Sequence, residues 1–267
     1  MNNRLAIVGC GNMGNAIATS LLEKKAIEDS NLLIIDKFLD RANNLKQKFT
    51  LLKTSQDFLE LKNYKYIILA IKPQDFKKLS KEIKEKLDSN SIVISIMAGI
   101  SIDTLKSCLG DFSFVRSMPN LPAQIGRGVS VFYLAKKLDK ESEDFINEIF
   151  NSFGTSIQVS AEDYINSATA ISGSGPGFIY YIISAFIEAG QELGFTQEQA
   201  TQLAVDTFSG SIEFLNIIQE EPRSLQEKVS SKGGTTESGL LEFEQNNLKT
   251  IIKKGILKAY NRSKELS

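Results

Sequence analysis

Two turns rich in glycine and small hydroxyl residues carry most of the chemistry available to this sequence. The first is "GCGNMG", residues 9–14; the second is "VSSKGGTTESGLLEFE", residues 229–244. Each precedes a stretch with helical spacing, so each offers free backbone N–H groups reinforced by the partial positive charge of a helix N-terminus. That arrangement favours an anion. The chain contains no histidine and no tryptophan. Imidazole acids, bases and metal ligands are therefore excluded, and with them the Ser-His-Asp and Cys-His hydrolases. Dehydrogenases that use histidine to take a proton from an alcohol are excluded too.

The first turn has the order strand, G-x-G-x-x-G, helix. Gly9 permits the tight turn, Gly11 lets the backbone approach a pyrophosphate, and Gly14 allows close packing of helix on strand. A bare glycine pattern is a weak signal. Here it opens the first strand–helix unit and is followed ~20 residues on by Asp36, at the end of a second strand. Gly9, Cys10, Gly11, Asn12, Met13 and Gly14 are thus expected to hold a dinucleotide pyrophosphate. Asp36 can accept a bond from the adenosine ribose, which favours NADH, whereas the neighbouring Lys37 and Arg41 can neutralise a 2′-phosphate. The cofactor is expected to be NADPH or NADH, with neither excluded. Ligands of open α/β sheets bind beyond the carboxyl ends of the strands. The loops at Ala70, Ile71, Lys72 and Pro73 and at Met97 and Ala98 should therefore face the nicotinamide half. Lys72 reads better as a cofactor contact than as a catalytic lysine.

The elements that must position these residues fall into two textures. Up to about residue 160, short apolar runs such as "RLAIVG", "NLLIID", "KYIILAI", "SIVISIM" and "FSFVR" alternate with helical spacing. Continuous apolar strands separated by helices predict a parallel sheet covered on both faces. Two more strand candidates, "GVSVFYLA" and "TSIQVS", flank a helix near residues 139–153. Residues 115–128 form an irregular loop with two of the five prolines, stiff enough to wall a substrate pocket or simply to connect strands. Beyond residue 160 only helical patterns follow, and several are apolar on more than one face. Such helices must be buried against a second neighbour, either within a helical domain or across a subunit interface. The expected architecture is α/β: a Rossmann-type doubly wound parallel sheet at residues 1–160, then an all-helical substrate-binding and dimerisation domain at residues 161–267.

Bulk composition agrees with a small-molecule enzyme. Thirty-one basic and 32 acidic residues nearly cancel in a chain of 267, net −1, which argues against a nucleic-acid partner. No apolar run reaches the roughly 18 residues needed to span a bilayer, so no membrane association is expected. The N-terminus runs directly into a strand, leaving no room for a signal peptide. The only two cysteines, Cys10 and Cys108, are far apart and lack metal-ligand spacing. A reduced, cytoplasmic protein without a metal site is expected.

"ISGSGPGFIYYII" resembles the glycine-rich segment of the β-hydroxyacid dehydrogenases, but Phe178, Ile179, Tyr180 and Tyr181 fill the turn where that family carries its catalytic lysine. Hydride transfer at an alcohol or ketone needs that proton shuttle. Gly173, Gly175 and Gly177 are instead expected to let helices or subunits approach closely. Taken together and in order, "AIKPQ", "VRSMPNLPA", "SGSGPGFIYYI" and "SSKGGTTESGLLEFE" resemble the pyrroline-5-carboxylate reductase family over essentially the whole chain. The resemblance implies NAD(P)H-dependent reduction of 1-pyrroline-5-carboxylate to L-proline, the last step of proline biosynthesis. It implies that Ser231, Gly233, Gly234, Thr235 and Thr236 bind the imino-acid substrate, with Thr236 near the imine nitrogen as the catalytic candidate. Glu162 aligns with an acidic residue close to the ligand in some members, which implies a further substrate-binding residue. The resemblance also implies a homodimer, extended in some members to a ring of dimers. The chain departs from the family at Lys232, where proline is usual, and at Gly177, where alanine is frequent.

Imine reduction suits a chain without histidine. A protonated C=N is already electrophilic, so the site has mainly to align donor and acceptor, a positioning effect that is large. Two rivals remain: a reductase of another small cyclic imine or keto acid, and a non-catalytic dinucleotide sensor.

Overall fold

A computed structural model of the chain describes residues 3–266. The chain divides into two compact units, one running to Ser174 and including the chain's end from Ala259, the other Gly175–Lys258.

The first unit is built on eight strands. They are β1 (Leu5–Val8), β2 (Leu32–Ile35), β3 (Lys53–Ser55), β4 (Tyr66–Leu69), β5 (Ile92–Ser95), β6 (Ser113–Met118), β7 (Gly128–Leu134) and β8 (Gly154–Gln158). They lie in the order β3-β2-β1-β4-β5-β6-β7-β8. The first six run parallel, and β7 pairs antiparallel to β6 in the register Arg116↔Tyr133. The reason is chain length. The link from β6 to β7 is a short helical turn, Leu121–Ile125, too short for the crossover a parallel neighbour needs. A full helix, α5 (Lys140–Ser152), separates β7 from β8, and these two are again parallel.

β1, β2, β4 and β5 are buried on both faces. Along β1, Leu5 and Ile7 enter one core and Ala6 and Val8 the other, as the two-residue strand period requires. The first core is closed by α1 (Asn12–Glu23), α2 (Asp40–Lys48) and α5; the second by α3 (Pro73–Lys84) and α4 (Ile102–Leu109). Fully buried Tyr66 packs its ring 4.6 Å from Phe145 and donates its hydroxyl to Ser142 at 3.2 Å. Burying one such apolar side chain stabilises the fold by about 1.5–3 kcal/mol.

The first unit extends past the boundary near residue 160 read from the sequence. Helix α6 (Asp163–Ala168) buries Ile165 and Ala168 against Val131 of β7, so it belongs to the sheet unit rather than to the helices after it. A π-helical turn at Thr169–Gly173 follows. The second unit holds α7 (Gly175–Glu192), α8 (Gln197–Ile218), α9 (Pro222–Lys228), α10 (Thr235–Gln245) and most of α11 (Leu248–Leu266). Pro176 sits in the first turn of α7, where its missing N–H costs nothing. α8 begins with a capping box, Thr196 and Gln199 bonding each other's backbone amides. α7 and α8 pack through Phe186 and Phe208, edge to face at 5.0 Å, yet they leave Tyr181, Leu193, Ile212, Phe214 and Ile217 largely exposed. The helical stretch 163–192 is also long and apolar enough, by length and composition, to cross a membrane. This departs from the expectation that no such run exists. Glycines and serines interrupt the stretch, and its isoleucines carry the average.

Candidate active site

The carboxyl ends of β1, β2, β4 and β5 open onto a cleft of about 1140 Å³ in the first unit. Residues 9–13 form its middle. Asp36 and Lys37 border it on the β2 side; residues 70–73 and Met97 with Ala98 border it on the β4 and β5 side. Thirteen of the fourteen residues expected to touch the dinucleotide therefore line one cleft. Gly14 does not; it works behind the wall. A Cβ there would lie 2.0 Å from the carbonyl oxygen of Gly9, so only glycine lets α1 seat against the turn. Gly9 itself has φ +102° and a backbone against Ala70, where a Cβ would meet the carbonyl at 2.6 Å. Gly11 faces open space, so a backbone-bound diphosphate fits where a Cβ would project.

Asp36 organises this mouth. Its Oδ2 accepts the N–H of Cys10 at 2.5 Å and its Oδ1 the N–H of Phe38 at 2.8 Å. Arg41 donates to the side-chain oxygen of Asn12 at 2.8 Å, so its guanidinium is held at the first turn of α1. Burial, then the nearby Asp36 charge, push the Cys10 thiol up to about 11, which keeps it protonated at neutral pH. Lys72 caps α3 with extended backbone, followed by Pro73 at the first helical position. Exposed Phe38, on the wall beside Lys37, offers an aromatic face that sequence reading passed over.

A second group of polar residues lies beside the loop after β5. Arg116 is 2% exposed; its Nη1 donates to Glu162 Oε1 at 2.8 Å and its Nη2 to Asn166 at 3.1 Å. The same Glu162 oxygen accepts the N–H of Ile102, the first residue of α4, at 2.8 Å. Removing one partner of a fully buried pair costs about 3–5 kcal/mol; Glu162 is 28% exposed, so the cost here is smaller. Arg116 was missed from sequence, although an arginine closing the apolar run "FSFVR" has to find an acid once the strand is buried. Asp163 next to it accepts from Tyr260 and Asn166, and these bonds hold its carboxyl below the usual range.

The second glycine turn belongs to the helical unit. Gly233 has φ +72°, and the N–H of Gly234 closes a turn onto Ser231 O at 2.9 Å. A Cβ at Gly234 would strike Ser231 Oγ at 2.5 Å. α10 then begins at Thr235, directly after the glycine pair. The N–H of Gly233 is taken by the Glu237 carboxylate at 2.6 Å, so this turn does bind a carboxylate, one from its own helix. Ser231, Thr235 and Lys232 are exposed and Thr236 half-buried. Gly173 packs against the Met118 side chain, whereas Gly175 and Gly177 have open space beside them.

Comparison with known proteins gives two family matches. Residues 4–99 match the family described as NADP oxidoreductase coenzyme F420-dependent, and residues 162–266 match pyrroline-5-carboxylate reductase dimerisation. The pyrroline-5-carboxylate reductase of Staphylococcus aureus (strain COL) is 34% identical over 266 residues, 99% of this chain and 98% of the relative. The solved pyrroline-5-carboxylate reductase of Coxiella burnetii has a TM-score of 0.92 at 31% identity, covering 100% of this chain and 99% of its own. That of Plasmodium falciparum, with NADP bound, has a TM-score of 0.87 at 29% identity over 99% and 98%. An α/β cleft shaped for a dinucleotide, a helical region matching a dimerisation family and similarity along the full chain agree: the chain belongs to the pyrroline-5-carboxylate reductase family.

Proposed function

We propose that this chain reduces 1-pyrroline-5-carboxylate to L-proline with NADPH or NADH. Full-length similarity to reductases of that name carries the reading, and the fit of the glycine cradle to a diphosphate supports it.

In this reading residues 9–13 hold the diphosphate, Asp36 and Lys37 the adenosine ribose, and residues 70–73, Met97 and Ala98 the nicotinamide half. Gly14 acts through Gly9. When bound, the dinucleotide supplies the hydride that the C=N carbon accepts. Ser231 and the amides of Gly233 and Thr235 take the substrate carboxylate, in place of the Glu237 carboxylate now on Gly233, while Gly234 shapes the turn by its own bond to Ser231. The Thr236 hydroxyl hydrogen-bonds the ring nitrogen and passes it a proton from water. Glu162 contributes through the loop it holds rather than by a direct bond to substrate.

The exposed apolar side chains of α7 and α8 are covered by a second copy, giving a homodimer that can build into rings. Lipid is a poorer partner for this surface, because the match to a dimerisation family spans it. The enzyme works in the cytoplasm, where reduced nicotinamide is available.

The test is consumption of NADPH or NADH by purified protein on addition of 1-pyrroline-5-carboxylate, with proline as product. Activity on 1-pyrroline lacking the carboxylate should be much lower. Equal rates on both would favour the broader imine reductase, and dinucleotide binding without turnover the sensor.

A further inference from the structure

We infer that Glu162 is a positioning residue for the cofactor's nicotinamide half, acting through the loop between β5 and α4. The inference rests on the dinucleotide reading of the cleft. β2 and Asp36 border the cleft on one side, β1 its middle, and the ends of β4 and β5 the other side. With the diphosphate at the glycine turn and the adenosine ribose at Asp36, the β5 loop is left to the nicotinamide.

Both ends of that loop are tied to one ion pair, Arg116 with Glu162. The loop leaves β5 at Ser95, whose ladder partner is Arg116. It ends at Ile102, whose N–H is held by Glu162, and Glu162 is held by the same Arg116. Between these ends, Ser95 Oγ accepts the N–H of Met97 at 3.3 Å. The far side of Gly99 is closed by Leu266; a Cβ at Gly99 would lie 2.7 Å from the Leu266 carbonyl oxygen. The segment carrying Met97 and Ala98 is thus a short span clamped at both ends and backed by the end of α11. Glu162 bonds both the terminal amide and the buried guanidinium. A carboxylate at the N-terminus of α4 also suits the helix dipole.

The experiment compares two ligands on the same protein. Reduced dinucleotide touches the β5 loop, whereas ADP-ribose lacks the nicotinamide and does not. Glu162→Ala should raise the Kd of NADPH or NADH about tenfold and leave that of ADP-ribose within twofold. Glu162→Gln keeps an oxygen able to accept both N–H groups, so it should restore most of the affinity. Ile102→Pro gives a second route that leaves Arg116 paired. It removes the N–H at the first helical position, where proline is tolerated, and Ser101 before it is already extended (φ −78°, ψ +163°). It should reproduce the selective loss, and the double variant should be no worse than Glu162→Ala alone. Equal weakening of both ligands in folded Glu162→Ala or Ile102→Pro protein would overturn the inference, as would no weakening of either. Wild-type protein that binds neither ligand would instead overturn the dinucleotide reading.

Discussion

Asp36 accepts the backbone N–H of Cys10 at 2.5 Å, so the end of β2 is bonded to the glycine turn that follows β1. Its other oxygen holds the N–H of Phe38. The carboxylate therefore shapes the cleft mouth, and in the proposed cofactor pose its negative charge opposes a 2′-phosphate there. Asp36→Asn keeps one acceptor and removes the charge. We expect the kcat/KM ratio of NADPH to NADH to rise about tenfold, while both absolute values fall because one amide loses its acceptor. Steady-state kinetics with each cofactor decide it; an unchanged ratio would mean that Lys37 and Arg41 set the preference.

Gly11 and Gly14 look equivalent in the motif and should behave differently. A methyl at Gly14 collides with backbone at 2.0 Å, which no side-chain rotation relieves. Gly14→Ala should destabilise the fold by about 1–3 kcal/mol or more. Gly11 has an ordinary φ of −67° and open space beside it, so Gly11→Ala should melt as wild type yet bind dinucleotide at least tenfold more weakly. Thermal melts beside cofactor titrations separate the two effects. Parallel losses in both variants would contradict this division.

The strands, the glycine turn and the loops over the cleft were legible because apolar runs ending in glycine or a polar residue leave few alternatives for a buried parallel strand. β3 was not: "KTS" carries no apolar residue, and only its pairing with β2 makes it a strand. The reversal at β7 is set by the length of the preceding turn, which periodicity does not register. Arg116 and Ile102 were invisible as partners of Glu162 because they lie 46 and 60 residues away from it. Spacing within one element says nothing about such pairs. The second turn was readable as an anion site, but not that Glu237, one helical turn on, already supplies the anion.

Exposed Ile212 on α8 tests the oligomer. The wild-type chain should elute as a dimer or larger at micromolar concentration. Ile212→Glu, which buries an unpaired charge if that face is an interface, should shift it toward monomer. Light scattering coupled to size exclusion reads the mass directly. A monomeric wild type would remove the subunit-interface account of the apolar helices.

Asp163 provides a pH test with a defined sign. The hydrogen bond from Tyr260, followed by that from Asn166, lowers its pKa below the ordinary 3.8. Its contribution to stability is therefore fully present above that ordinary value and is lost as pH falls through the lowered one. Tyr260→Phe should return the carboxyl toward 3.8. The stability gap between variant and wild type should stay constant from neutral pH down to about pH 5 and then narrow in stronger acid. The gap should be small, because the pair is exposed. Denaturant unfolding at stepped pH measures it, and a gap that widens on acidification would reverse the assignment.

Thr236 separates binding from chemistry. It lies in the first turn of α10, half-buried, directly after the turn that presents Gly233 and Gly234. In the proposed reaction the imine is electrophilic once protonated, and the amine product keeps the proton on nitrogen. A hydroxyl that bonds this nitrogen stabilises the state in which the C=N carbon accepts hydride more than it stabilises either bound reactant. Thr236→Ala should therefore lower kcat about a hundredfold while leaving the Kd of NADPH or NADH within twofold. Thr236→Ser, which keeps the hydroxyl and loses only a methyl group, should recover most of the rate. Cofactor binding is measured by fluorescence titration without substrate, and turnover by loss of reduced nicotinamide with 1-pyrroline-5-carboxylate. If cofactor affinity falls as far as turnover, or if serine fails to rescue, Thr236 supports the turn rather than the transition state. The proton must then come from water held by another group.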